Sequence, residues 1–437
     1  MKQYLTATFS ALAIRDYRRY AFGQTISVSG TWMQKLAQSW LVLELTNSPL
    51  LLGFTVAAQQ LPTLLFTTTG GALADRFDKR TILVCTQFGA MVPALVLGVL
   101  VQFHLATVWT VMVAALVQGF SDAIDKPARL TVVNDIATPE TLTNAVTLNG
   151  IIQNSGKVAG PAVAGILIGT IGIAPAFFIN AASFVPVIVA LLLIRPHVPV
   201  GPVARFKASG NLTGSLRYVG KHPRLASALA LMAVAGLLAY NFNVLLPTLM
   251  RDTMGGDART VGFAFTSMGL GGVIGGLALA GVLRGSSRSL LLNGLVFAAC
   301  LTVLGFAPTF GVAYGFLFVL GAASVTFRAT ATSLLQLYSE PQMRGRVISL
   351  LVLATAGTSP LGGPIIGWIC QNASPRVACM VGGIGTALAV LACYSYLKSN
   401  RRSATGTGPE SEGYTDTDIV DERVPGQAAS VVIEKSA

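Results

Sequence analysis

Only 11% of the 437 residues are charged and 53% are hydrophobic, against about 25% charged in soluble domains, so the chain reads as an integral membrane protein. The formal net charge of +12 raises nucleic acid as a partner. Its distribution argues against one, because the basic residues punctuate apolar runs and build no basic face. Cys85, Cys300, Cys370, Cys379 and Cys393 lie in or beside apolar runs without metal-ligand spacing, and His104, His197 and His222 do not cluster, so no metal or cofactor is expected. The sequence has no phosphate-binding glycine loop, nucleophile elbow or catalytic carboxylate pair. An enzyme or an ATP-driven pump is therefore not expected.

Met1–Arg19 lacks the pattern of a cleavable signal and places Arg15, Arg18 and Arg19 just before the first apolar run. Runs long enough to cross a bilayer, about 20 residues each, then follow twelve times. Spans 1 to 6 are read at 20–45, 49–74, 81–103, 107–124, 144–170 and 174–194. A basic segment, 195–224, separates them from spans 7 to 12 at 225–250, 260–283, 289–307, 310–332, 347–370 and 376–397. The expected fold is all-α, with twelve helices in two pseudo-symmetric six-helix halves, 1–194 and 225–397, joined by a linker at 195–224. The tail, 398–437, is rich in Ser, Thr, Gly, Asp and Glu without apolar period and is expected to be disordered.

Loop charge supports this map. Loops assigned inside carry Arg76, Lys79, Arg80, Lys126, Arg129, six basic residues of 195–224, Arg284, Arg288, Arg344 and Arg346. Loops assigned outside carry only Arg251, Arg259 and Arg376. The positive-inside rule then puts both termini in the cytoplasm. The chain also repeats itself: Gly156…Gly160-Pro161…Gly165 is echoed by Gly357…Gly363-Pro364…Gly367, as a transporter built from two parallel repeats would show.

A charge inside a span is costly, roughly 3 kcal/mol at the centre, and marks a candidate site. Lys35 in span 1 and Lys157 in span 5 each fall about 20 Å from the cytoplasmic end, the depth of transporter substrate sites. With Trp32 and Gln38 beside Lys35, and with Gln59 of span 2 and Tyr240, Asn241 and Asn243 of span 7, they are candidates for a cavity that draws in an anionic or polar substrate. The alternative is that each lysine snorkels or pairs with a neighbour such as Asp122. Asp122 and Asp125, at the inner end of span 4, are proton-coupling candidates, Asp122 the better, and Lys126 four residues after Asp122 is spaced for an intrahelical ion pair; a helix-end charge cluster is the alternative for Asp125. Gly156, Gly160, Pro161 and Gly165 form a small-residue surface suited to close packing and a bend.

The stretch Gly71-Ala-Leu-Ala-Asp-Arg-Phe-Asp-Lys-Arg80 resembles the signature loop between the second and third helices of the major facilitator superfamily, with Asp78 where that family usually has glycine. Leu43–Pro49, Asp125–Arg129, Asn144–Asn149 and Lys157–Ala162 look like the branch containing the bacterial enterobactin exporter and macrolide efflux proteins. The resemblance implies alternating access and proton-motive export of an amphipathic small molecule across the bacterial cytoplasmic membrane, by a monomer with both termini inside. A siderophore-like or other anionic metabolite is the first reading, a multidrug or macrolide pump the second, and a non-transporting receptor or scaffold the third. The span-5 glycine motif is similar to that of the superfamily's antiporters, with Ala164 replacing one glycine. By the same resemblance Gly71, Asp75, Arg76, Lys79 and Arg80 form a gating loop; Asp122 and Asp125, at the same membrane face, are the expected carboxylate partners of its arginines.

Overall fold

The computed structural model describes residues 10–194, 212–279 and 285–405, with the backbone path alone at 67–76, 130, 212, 279 and 401–405. Among these residues every regular element is helical. The expected tail and much of the expected linker lie outside the described residues.

The first six long helices are α1 (Arg15–Thr46), α2 (Pro49–Arg76), α3 (Lys79–Gln102), α4 (Val108–Ile136), α5 (Leu142–Ile171) and α6 (Ala174–Leu193). A short α7 (Leu212–Gly220) leads into α8 (Pro223–Leu238) and α9 (Phe242–Thr248), then α10 (Ala258–Leu279), α11 (Ser287–Leu304) and α12 (Phe310–Tyr338). The chain closes with α13 (Arg344–Ala356), α14 (Ser359–Asn372) and α15 (Pro375–Thr405). Counting α8–α9 and α13–α14 as one broken crossing each, these helices make twelve crossings among the described residues. Ten are long and apolar enough to span a membrane by length and composition. The other two long helices, α1 and α5, carry Lys35 and Lys157. Their lower hydropathy follows from the amides, hydroxyls and lysines they place at membrane depth, which lipid does not tolerate but a polar interior does.

Helix ends follow local chemistry. Asn47 terminates α1 in the left-handed region (φ 49°), its N–H bonded to the Leu43 carbonyl, a conformation that Asn tolerates. Asp78 caps α3, accepting from the Thr81 N–H at 3.0 Å and the Thr81 hydroxyl at 2.7 Å. These bonds give a physical role to the residue that departs from the family pattern, and the Thr81 hydroxyl holds the Asp78 carboxyl below its ordinary pKa. Thr107 and Thr110 form a reciprocal capping box at the start of α4.

Three helical features differ from the sequence map. Helix α4 runs to Ile136 through Pro127, so Lys126 and Arg129 sit on helix rather than in a loop. Crossing seven breaks at 239–241, where the Asn241 side chain donates to the Leu237 carbonyl at 2.7 Å and so caps α8. A π turn, Leu249–Thr253, then ends α9. Crossing eleven breaks at Gly357–Thr358, and Pro360 opens α14, a first-turn position where its missing N–H costs nothing.

Packing repeats with the sequence. In the first half α1 packs on α5 and α6, α2 on α4, and α3 on α4 and α6; in the second, α8 packs on α13 and α15, α10 on α12, and α11 on α12 and α15. The halves meet along two related seams, α2 against α14 and α5 against α10. The two repeated glycine–proline blocks supply both seams. A Cβ on Gly262 would lie 2.6 Å from the Pro161 carbonyl, and one on Gly363 would lie 2.9 Å from the Gly53 carbonyl. Only glycine allows backbones this close. One large core cluster combines first-half residues such as Leu36, Leu52 and Ala164 with Leu245, Val261 and Ile366 of the second half. A separate cluster around Tyr17, Leu83, Val133 and Leu191 belongs to the first half alone. Leu95, Val99, Val189, Leu192, Leu277 and Leu388 lie on the outer surface of the bundle, each more than 40% exposed, as lipid-facing side chains must be.

Candidate functional site

The loops assigned outside by charge lie at the end of the bundle where the seams close. Arg251, on the π turn, donates to the Leu43 carbonyl at 2.8 Å and to Asn47 Oδ1 at 2.6 Å. Arg259 donates to the Gly169 carbonyl at 2.5 Å, and the Ser48 hydroxyl donates to Gln371 Oε1 at 2.6 Å. Each bond joins one half to the other. The two arginines neutralise the carbonyl-rich ends of α1 and α5, where a cation is favoured by the helix dipole. Arg376, the third basic residue of these loops, reaches the Ala307 carbonyl beyond α11.

Below this closure, Lys35 and Lys157 share one aromatic platform. The Lys35 ammonium sits 4.4 Å from the Trp32 ring centroid and that of Lys157 5.8 Å from it. The glycines of α5 make this possible: Gly160 lies against the backbone of Ser29–Met33 and Trp32 Cβ, and Gly156 against Val28. Gly165 and Pro161 face the other way, onto Ala258 and Gly262 of α10. Lys157 is exposed and bonds Asn154 Oδ1 at 3.2 Å. Gln38, Gln59 and Asn243 line a small polar recess with Lys35, Ser39 and Thr55 between α1, α2 and α9. Tyr240 faces inward from the break after α8, its hydroxyl donating to the Ser324 carbonyl at 3.0 Å. Asn241 stands apart: it is 5% exposed, with Gly362 against its side chain, so helix capping and packing take up its amide.

One cation escaped the sequence reading. Arg328, within α12, lies 4.7 Å from the Tyr240 ring centroid. It interrupts an apolar run just as Lys35 does, and the rule that singled out Lys35 applies to it equally.

The two carboxylates of α4 have different surroundings. Asp125 is buried, accepting from Gln87 Nε2 at 2.7 Å, from the Thr86 hydroxyl at 3.1 Å and from Arg129. Asp122 is half-buried, bonded to Gln118 Nε2 at 3.1 Å and paired with Lys126 at 3.5 Å, whose side chain is 52% exposed.

The gating-loop residues Gly71, Asp75 and Arg76 end α2, where only the backbone is described. Lys79 bonds both carboxylate oxygens of Asp135, at 2.8 and 3.1 Å, and Arg80 donates to the Leu192 carbonyl. The expectation that Asp122 and Asp125 partner the loop arginines therefore fails for Arg80. Both carboxylates are taken by cations one turn along their own helix, a spacing that brings side chains together.

Comparison with known proteins places this architecture. Residues 6–433 match the family model described as transmembrane secretion effector. A staphyloferrin A transporter of Staphylococcus aureus is 24% identical over 78% of this chain and 86% of its own length. An enterobactin exporter of Shigella boydii is 22% identical over 84% and 88%. The solved structure of the nucleoside transporter NupG superposes with a TM-score of 0.70 at 14% identity, covering 88% of this chain and 99% of that one. A family model spanning nearly the whole sequence, on twelve helices paired as two related sixes, identifies the chain as a member of the transmembrane secretion effector family of major facilitator transporters.

Proposed function

We propose that the chain is a proton-coupled exporter of an anionic, amphipathic small molecule, working by alternating access. One observation carries this reading: Lys35 and Lys157 both lie over the Trp32 indole, and among the described residues no carboxylate lies within ion-pair distance of either. Positive charge held at mid-span without a carboxylate partner calls for an anionic ligand, because uncompensated charge there is costly. The names of the two relatives support a siderophore-like acid as the substrate class.

In this reading the halves, 1–194 and 225–397, rock about the central site in a monomer of the bacterial inner membrane, with both termini in the cytoplasm. The seams closed at the outer end then belong to the state open to the cytoplasm. The α5 glycines and Pro161 act as the pivot, and the loop from Gly71 to Arg80 gates the inner side. Asp122 is the coupling carboxylate, since it is half-buried and its exposed partner Lys126 holds it only weakly.

Everted vesicles test this with two variants and a set of anionic and cationic aromatic probes. Lys157→Gln is expected to slow export of anions by about tenfold, the effect of losing one charge-assisted contact, while leaving cationic probes unaffected. Asp122→Asn is expected to abolish the response to a pH gradient while retaining exchange of substrate for substrate. Full-rate export of anions and cations alike by Lys157→Gln would sink the anionic reading and favour a drug pump. Absence of flux for every probe in the wild type would favour a receptor or scaffold.

A further inference from the structure

Lys35 and Lys157 belong to the first half, yet the second half offers a matching platform. Tyr240 stacks on Phe297 at 5.0 Å between centroids, and Phe297 on Phe327 at 5.7 Å. This fixed column carries the Arg328 guanidinium on its Tyr240 face. Arg328 is exposed and lies over the ring of Tyr240, three residues before Asn243, which lines the recess with Lys35, so its ring partner leads toward the meeting of the two halves. Among the described residues no carboxylate lies within ion-pair distance of it. The first half thus carries an indole with two ammonium groups, and the second a phenol ring with a guanidinium.

We propose that Arg328 is the second anion-binding arm of this cavity, so that the substrate carries at least two acidic groups, one for each half, on an apolar or aromatic body. The inference rests on the reading of the cavity as an anion site and adds the number and placement of the charges. A guanidinium grips a carboxylate in a bidentate fork, whereas an ammonium acts as a point charge. The two walls are therefore not interchangeable. A substrate with one acidic group satisfies one wall and leaves the like charges of the other unscreened.

The test uses the purified full chain in nanodiscs of neutral lipid and follows binding of benzoate, benzene-1,3-dicarboxylate and benzene-1,3,5-tricarboxylate at constant ionic strength. These probes share one ring and differ in charge count. The wild type is expected to bind the dicarboxylate about tenfold more tightly than benzoate, one added charged contact. Arg328→Gln should erase that increment and leave benzoate within about twofold. Arg328→Lys should keep part of the increment, which also shows that the fold tolerates change at this position. Lys157→Gln should weaken all three probes. Unchanged dicarboxylate affinity in Arg328→Gln, or equal affinities of the wild type for one and two carboxylates, overturns the Arg328 arm alone. Failure of the wild type to bind any probe, or indifference of all three to Lys157→Gln, overturns the anion cavity itself.

Discussion

Replacing Gly53 by leucine is expected to abolish net transport and to leave the outer end of the carrier open. A Cβ at this position meets the Gly363 carbonyl oxygen, with the Gly363 carbonyl carbon at 2.8 Å and Pro364 Cα at 2.9 Å. These are backbone atoms, which cannot rotate away, so the α2–α14 seam can accommodate the side chain only by separating. Overpacking a tight contact costs about 1–3 kcal/mol. A penalty of about 3 kcal/mol acts on the outside-closed state alone and shifts the balance of states by about a hundredfold. The second seam gives the same prediction at Gly262, where a Cβ would lie 3.0 Å from Gly165 Cα. Gly315→Leu is the matched control, because nothing lies within 4 Å of a Cβ built there. The measurement is labelling of a single cysteine at Thr55, 3% exposed beneath the seam, by an impermeant maleimide added outside to a variant lacking the five native cysteines. Labelling and efflux unchanged from the Gly315→Leu control would show that the seam does not hold this state.

These seams were legible in the sequence only as a repeat. Gly160-Pro161 and Gly363-Pro364 stand out because small residues and a missing donor are unusual in apolar runs. That both blocks lie between the halves follows from the fold's internal symmetry, which length and hydropathy do not encode. Lys35 and Lys157 were legible because an ion in lipid must be explained. That they share Trp32 was only partly so: Trp32 and Lys35 are three apart on one helix, but bringing Lys157 to the same ring takes the Gly160 contact between helices. Arg328 obeys the same rule, but four residues from the inner end of span 10 as hydropathy bounds it, it reads as a boundary charge; only the continuation of α12 to Tyr338 puts it inside the crossing. The breaks at Tyr240 and Gly357 were not legible, because Pro247, the more obvious breaker, sits within α9. The Asp122–Lys126 pair was legible from its spacing, whereas the Arg129 partner of Asp125 was not. Each has a cation four residues on, and only packing against α1 and α3 decides which pair is buried.

That difference sets the largest expected loss of stability. Asp125→Ala removes the acceptor shared by Thr86, Gln87 and Arg129. Arg129, whose side chain is 18% exposed, is then left as an uncompensated cation between helices. Breaking a buried pair in this way costs about 3–5 kcal/mol, most of it the desolvation of the ion left behind. Asp122→Ala removes a pair whose lysine is 52% exposed, and pairs of that kind contribute about 0–1 kcal/mol. The two carboxylates, three residues apart on one helix, are therefore expected to differ several-fold in their effect on thermal unfolding of the purified carrier. A cycle isolates the cause. If the unpaired guanidinium is what destabilises Asp125→Ala, then adding Arg129→Met should recover a large part of the loss, since replacing a buried ion pair by apolar side chains is often near neutral. An Asp125→Ala carrier no less stable than Asp122→Ala would show that Arg129 finds water or another partner. So would a double variant no better than the single one. In either case the Asp125–Arg129 pair would not be what secures the Asp125 contacts of α4 with Thr86 and Gln87 of α3.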